Sequence, residues 1–144
     1  MARTAAEFFP WYYEARRNLS GTLAERSAAE DKMFSDWYHE MSVGDHVHIC
    51  HWSDVSPATV VRKTATTLTV RLDKAERDPS WLPEWEPGGF AGVCTNNDDQ
   101  RWIIEEDPNG RTVVFRWHKR KNRYENTAGE GLYPGWLKKY DYNF

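Results

Sequence analysis

At Val43-Gly44 the apolar residues change their spacing, and this change limits the chain to folds that join a helical segment to a β-rich one. Before it, Phe8, Tyr12, Ala15 and Leu19 recur at helical intervals. The spacing predicts a helix over residues 7–19 with Pro10 in its first turn. Ser20-Gly21 stops that helix, and Thr22 with Glu25 forms a capping box for the next. Phe34, Trp37, Tyr38 and Met41 then repeat the 3.6-residue stripe, so residues 1–43 read as a helical segment with one apolar face. After Gly44 the period falls to two. Residues 45–52, 58–62 and 66–72 are short, rich in Val, Ile and Thr, and separated by Ser53-Asp54 and Ser56-Pro57, which is the pattern of an antiparallel meander. In the third run Leu68, Val70 and Leu72 share one face.

Residues 73–99 break the strand pattern. Pro79, Pro83, Pro87 and Gly88-Gly89 predict an extended, proline-rich excursion, with Trp81, Trp85 and Phe90 available to dock it. Residues 100–106 and 112–118 alternate again, and the intervening Asp107-Pro108-Asn109-Gly110 predicts a hairpin turn between them. A second hairpin is expected through residues 119–122. The tail from Leu132 is rich in rings and is expected to dock.

The chain of 144 residues carries a net charge of −3, which argues against a dedicated duplex-DNA binder. Charge is unevenly spread: residues 73–99 hold two basic groups against seven acidic ones, and residues 101–124 hold seven against three. Arg116, Lys119, Arg120, Lys121 and Arg123, with His118, cluster in "FRWHKRKNRY". This grouping predicts an anion cradle in which cations meet phosphate and an exposed Tyr124 stacks on a base. A small nucleotide would need a pocket with converging donors such as Arg101, Arg116 and Arg123.

His46, His48 and Cys50 alternate on one strand and so emerge on one face about 7 Å apart. Further metal ligands would have to come from Cys94 or His118, no motif supports such a site, and none is expected. No cofactor is implied. Neither cysteine sits in a nucleophile context, and a hydrolase would need a metal or an acid–base pair that the sequence does not assemble. Two cysteines, no secretion-type apolar stretch and no run of roughly 20 apolar residues predict a cytoplasmic protein without a membrane partner.

The stretches "VGDHVHICHWSDVSPATVV", "TTLTVRLDKAERD", "EEDPNGRTVVFRWHKRKNRY" and "YDYNF" resemble an uncharacterised family of small bacteriophage accessory proteins over about residues 42–144. The resemblance implies an accessory protein of host interference or anti-defence, made in the bacterial cytoplasm, and supplies no catalytic residues. A Gly-Asp entry, a short strand, an Asp-containing turn and two more strands also look like the start of a Tudor-like or KOW-like small barrel. That likeness implies binding through rings at a strand edge, with Trp52 and Asp54 in the corresponding positions.

Together these readings predict an α+β fold: helical residues 1–43 packed on a small, strongly bent antiparallel sheet or Tudor-like barrel of residues 44–144. The expected function is non-catalytic capture of a nucleotide-like or single-stranded nucleic-acid polyanion. The alternative is a stoichiometric inhibitor that anchors a host protein with Trp37 and Tyr38 on the helical face or Trp81 and Trp85 on the loop.

Overall fold

A computed structural model describes residues 1–88 and 92–143. The first helix, α1 (Ala5–Arg17), opens at Thr4, whose hydroxyl accepts from the Glu7 amide at 3.2 Å and meets the Glu7 carboxylate at 3.1 Å. Because this capping box starts the helix two residues before the expected point, Pro10 falls in the second turn and leaves the Ala6 carbonyl without its usual amide partner. The second helix, α2 (Leu23–His39), starts where predicted, with Thr22 accepting from the Glu25 amide at 3.2 Å. Phe8 stacks on Trp37 with ring centroids 3.9 Å apart, and Tyr12 and Phe34 close around them. The two helices therefore bury their main aromatic stripe against each other.

Beyond Gly44 the strands are β1 (His46–Cys50), β2 (Val55–Lys63), β3 (Thr67–Leu72), β4 (Lys74–Arg77), β5 (Trp85–Glu86), β6 (Val93–Cys94), β7 (Trp102–Glu105), β8 (Thr112–His118), β9 (Arg123–Glu125) and β10 (Gly131–Pro134). Six of them close an antiparallel barrel in the order β1-β10-β9-β8-β3-β2, so the fold is α+β with a small barrel. Strand alternation fills it: Val47 and Ile49 of β1, Leu68 and Val70 of β3, Phe115 of β8 and Leu132 of β10 all point inward. Met41, just past α2, is buried in the same core. Lys63 Nζ donates to the carbonyls of His39 at 2.6 Å and Met41 at 2.8 Å, which places a cation where the helix dipole is negative. The N-terminal residues are tied down as well, through Ala2 N to Asp45 at 2.8 Å and the Arg3–Glu40 ion pair at 2.5 Å.

The structure departs from expectation within the excursion and beyond it. Residues 74–77 form a strand, β4, which pairs with β7, and residues 107–110 do not close a hairpin between β7 and β8. Instead β3 and β4 run on as one arm and β7 and β8 as the other, with Asp73 alone in the first gap and residues 106–111 bulging from the second. Asp107 and Asn109 still make their local turn, since Asn109 N donates to Asp107 Oδ1 at 3.0 Å. Glycine is required at 110 because a Cβ there would sit 2.0 Å from the Leu72 carbonyl oxygen. The second predicted hairpin forms, with His118 opposite Arg123 and Asn122 at φ 54°. Trp81 docks, near Tyr142 at 5.6 Å, and the tail closes over the excursion through Asn143 Oδ1, which accepts from Cys94 N at 2.7 Å. Gly89, Phe90 and Phe144 lie outside the described residues. No helix among the described residues is long and apolar enough to cross a membrane.

Candidate functional site

Register decides which polar side chains share the outer wall of the barrel. Cys50, Gly131, Glu125 and Arg116 lie side by side across β1, β10, β9 and β8. Gly131 leaves room for the Tyr133 side chain, whose hydroxyl would stand 2.6 Å from a Cβ at that position. Into this space comes Arg123: Nε and Nη2 donate to Glu125 Oε1 at 3.0 and 2.7 Å, Nη1 to the Tyr133 hydroxyl at 2.9 Å, and Nη2 to the Gly129 carbonyl at 3.2 Å. Lys121 Nζ meets the same carboxylate at 3.0 Å. Burial by itself would push the Glu125 carboxyl up, but the Arg123 and Lys121 hydrogen bonds outweigh it and hold the group below the usual carboxylate range. Thus two of the five clustered cations are committed to one internal acid.

The remaining three are not. Arg116 lines a 300 Å³ cleft with Trp117, His118 and Asn126, while Lys119 and Arg120 stand exposed at the β8–β9 tip. Among the described residues none of these three cations forms an ion pair. His118 spends its Nδ1 on the tip itself, accepting from the Lys121 amide at 3.1 Å. Asn122 Nδ2 donates to the Asp31 carbonyl at 2.8 Å, which lays the tip along α2.

Several expected site residues are placed elsewhere. Tyr124 is 0% exposed and cannot stack on a ligand, because its strand parity matches that of Leu132 and turns the ring into the core against Trp117. Arg101 does not converge with Arg116 and Arg123: its carbonyl accepts from Asp78 N at the far end of the β4–β7 ribbon. Trp52 is 93% exposed on the β1–β2 turn, as a contact ring requires, but Asp54 is turned to the tail, where Oδ1 accepts from Asp141 N at 2.9 Å. Of the four expected partner anchors, Trp37 is 5% and Trp81 6% exposed, so neither can anchor a partner: both pack inside the protein. Tyr38 is half-buried near Tyr133, and burial together with Tyr133 pushes its phenol up to about 12. Trp85, 52% exposed, keeps a free face.

His46, His48 and Cys50 do share one face, and each has its own neighbour. His46 stacks on Trp136 at 3.5 Å, His48 Nδ1 donates to the Gly135 carbonyl at 2.8 Å, and burial pushes the Cys50 thiol up. Among the described residues no group of three His, Cys, Asp or Glu side chains is spaced to hold a metal.

Two groupings carry no sequence motif. Where α1 ends and α2 begins, Tyr13, Arg16, Arg17, Leu19 and Arg26 line a 410 Å³ cleft. Arg16 meets Glu30 at 2.8 Å, whereas Arg17 and Arg26 have no ion-pair partner among the described residues. The only trace in the sequence is a pair of basic residues before a turn and one after it. The second grouping is at the barrel mouth, where His51 ring nitrogens meet Glu130 Oε2 on one side and Ser56 Oγ, at 2.9 Å, on the other. His51 and Ser56 are five residues apart across the β1–β2 turn, and Glu130 joins them because β10 lies beside β1. No protein-family model matches the chain, and no match is found among curated proteins or solved structures.

Proposed function

We propose that the chain is a binding module for a single-stranded or nucleotide-like polyanion, held along the β8–β9 tip and the flank of α2. The observation that carries this reading is the unpaired state of Arg116, Lys119 and Arg120 among the described residues, on a tip that the Asn122–Asp31 hydrogen bond docks against the helix. On the same helix, Arg26 lines the inter-helix cleft with Arg17, and neither has an ion-pair partner among the described residues. Tyr13 at that cleft is exposed and offers a base the stacking face that Tyr124 does not.

Fluorescence anisotropy with a labelled oligo-dT tests the reading. If about three phosphates are neutralised, affinity falls about 20-fold between about 50 and about 200 mM salt. The double change Lys119→Glu and Arg120→Glu is expected to weaken binding at least about tenfold, because each site turns from attraction to repulsion. Binding that ignores both the salt and the charge reversal removes the proposal. A second reading, capture of a protein partner, is favoured by the exposed Leu82, Trp85 and Val93 at the β5–β6 end of the excursion. Its signature is the reverse: affinity insensitive to salt and lost in Trp85→Ala.

A further inference from the structure

We propose that Ser56, His51 and Glu130 form an acyl-transfer site that hydrolyses carboxylic esters at the mouth of the barrel. The inward-facing rows that hold Ile49 and Leu132 run on, at the strand ends, to His51, Ser56 and Glu130. The ionised Glu130 can only accept, so His51 Nδ1 carries the proton of their shared hydrogen bond. In the neutral ring Nε2 is then a bare acceptor, and the Ser56 hydroxyl donates to it at 2.9 Å. This is the order of roles a hydrolytic triad needs: nucleophile, base, and an acid that orients the base.

Glu130 is itself held in place. Its Oε1 accepts from Asn126 Nδ2 at 2.8 Å and its amide donates back to Asn126 Oδ1 at 2.9 Å. Beside His51 and Glu130 opens a 460 Å³ cleft that these two residues line together with Trp52, Arg123 and Gly129. Trp52 gives an ester's apolar group a face to lie on. Arg123 has five N–H donors and makes four hydrogen bonds among the described residues, which leaves one Nη1 proton for a developing oxyanion.

In the reaction, Ser56 Oγ bonds to the ester carbonyl carbon as His51 Nε2 takes the hydroxyl proton. The carbon–oxygen bond to the alcohol then breaks, and the alcohol leaves with that proton. Water, deprotonated by the same nitrogen, attacks the acyl-serine and releases the acid, restoring Ser56. Ester and water become acid and alcohol, with no oxidant or cofactor.

The test treats the full chain with diisopropyl fluorophosphate, in which serine oxygen displaces fluoride at phosphorus, and maps the adduct by mass spectrometry. A single adduct on Ser56 is expected, absent in His51→Gln. Hydrolysis of p-nitrophenyl acetate should fall by about 100-fold or more in Ser56→Ala, and Glu130→Gln should lower kcat while leaving KM unchanged, as a positioning residue does. Lysine and histidine also react with activated esters, so the mapped serine decides. Wild-type protein that gives no Ser56 adduct overturns the proposal and makes the trio a polar plug of the barrel mouth. The outcome is independent of oligo-dT binding, so failure of one leaves the other standing.

Discussion

Asp73, the lone residue between β3 and β4, gathers three donors: Thr59 Oγ1 at 2.6 Å, Trp136 Nε1 at 3.0 Å and Asp107 N at 3.2 Å. Thr59 is buried, so removing the carboxylate strands a hydroxyl that water does not reach. Asp73→Ala is expected to cost about 2–4 kcal/mol, seen as a lower urea midpoint with an unchanged slope. Glu125 argues in the other direction, from pH. Its folded-state carboxyl lies below the ordinary value because Arg123 and Lys121 outweigh burial, so the stability it contributes is present above the unfolded value and lost as pH falls through the folded one. Melting temperature should therefore drop on acidification below about pH 4.3, and Glu125→Gln should be less stable at neutral pH with a shallower acid decline. A steeper acid decline in the variant would contradict this assignment.

Elements differ in how far the sequence announces them. The helical stripe and the strand alternation were legible because burial of one face leaves a period, and Thr22-Glu25 marks its helix start by local chemistry alone. The turn at residues 107–110 was legible as a turn but not as an interruption, since which strand a β7 residue faces is settled by β4, about thirty residues earlier. Tyr124 and Trp37 show the same limit: aromatic side chains serve core and ligand equally, and only parity and packing separate the two uses. The tail belongs to this scale. Asn143 holds the Cys94 amide, and Asn97 Oδ1 accepts from Tyr142 N at 3.1 Å, so the tail and the excursion order each other. A chain ending at Leu137 should keep a cooperative barrel melt while amide exchange at Cys94 speeds up by at least about tenfold, the loss of one protecting contact of about 1.4 kcal/mol. Unchanged exchange there would mean that the excursion stands by itself.

At the scale of the whole molecule, helices and barrel share one framework through Met41, Lys63 and the Ala2–Asp45 hydrogen bond. The basic tip is one unbroken run of sequence, whereas the arginine cleft joins residues on either side of the turn between α1 and α2 and the His51 trio takes Glu130 from 79 residues away, which explains why only the first was visible beforehand. Closure of the six strands has a further consequence for how this protein keeps company. A closed ring of strands has no edge strand along its length, which limits what can add to it by main-chain zippering. The ribbon of β4 and β7 is different: among the described residues each of its strands pairs only with the other, and any runaway self-association of the chain would begin there and leave the barrel intact.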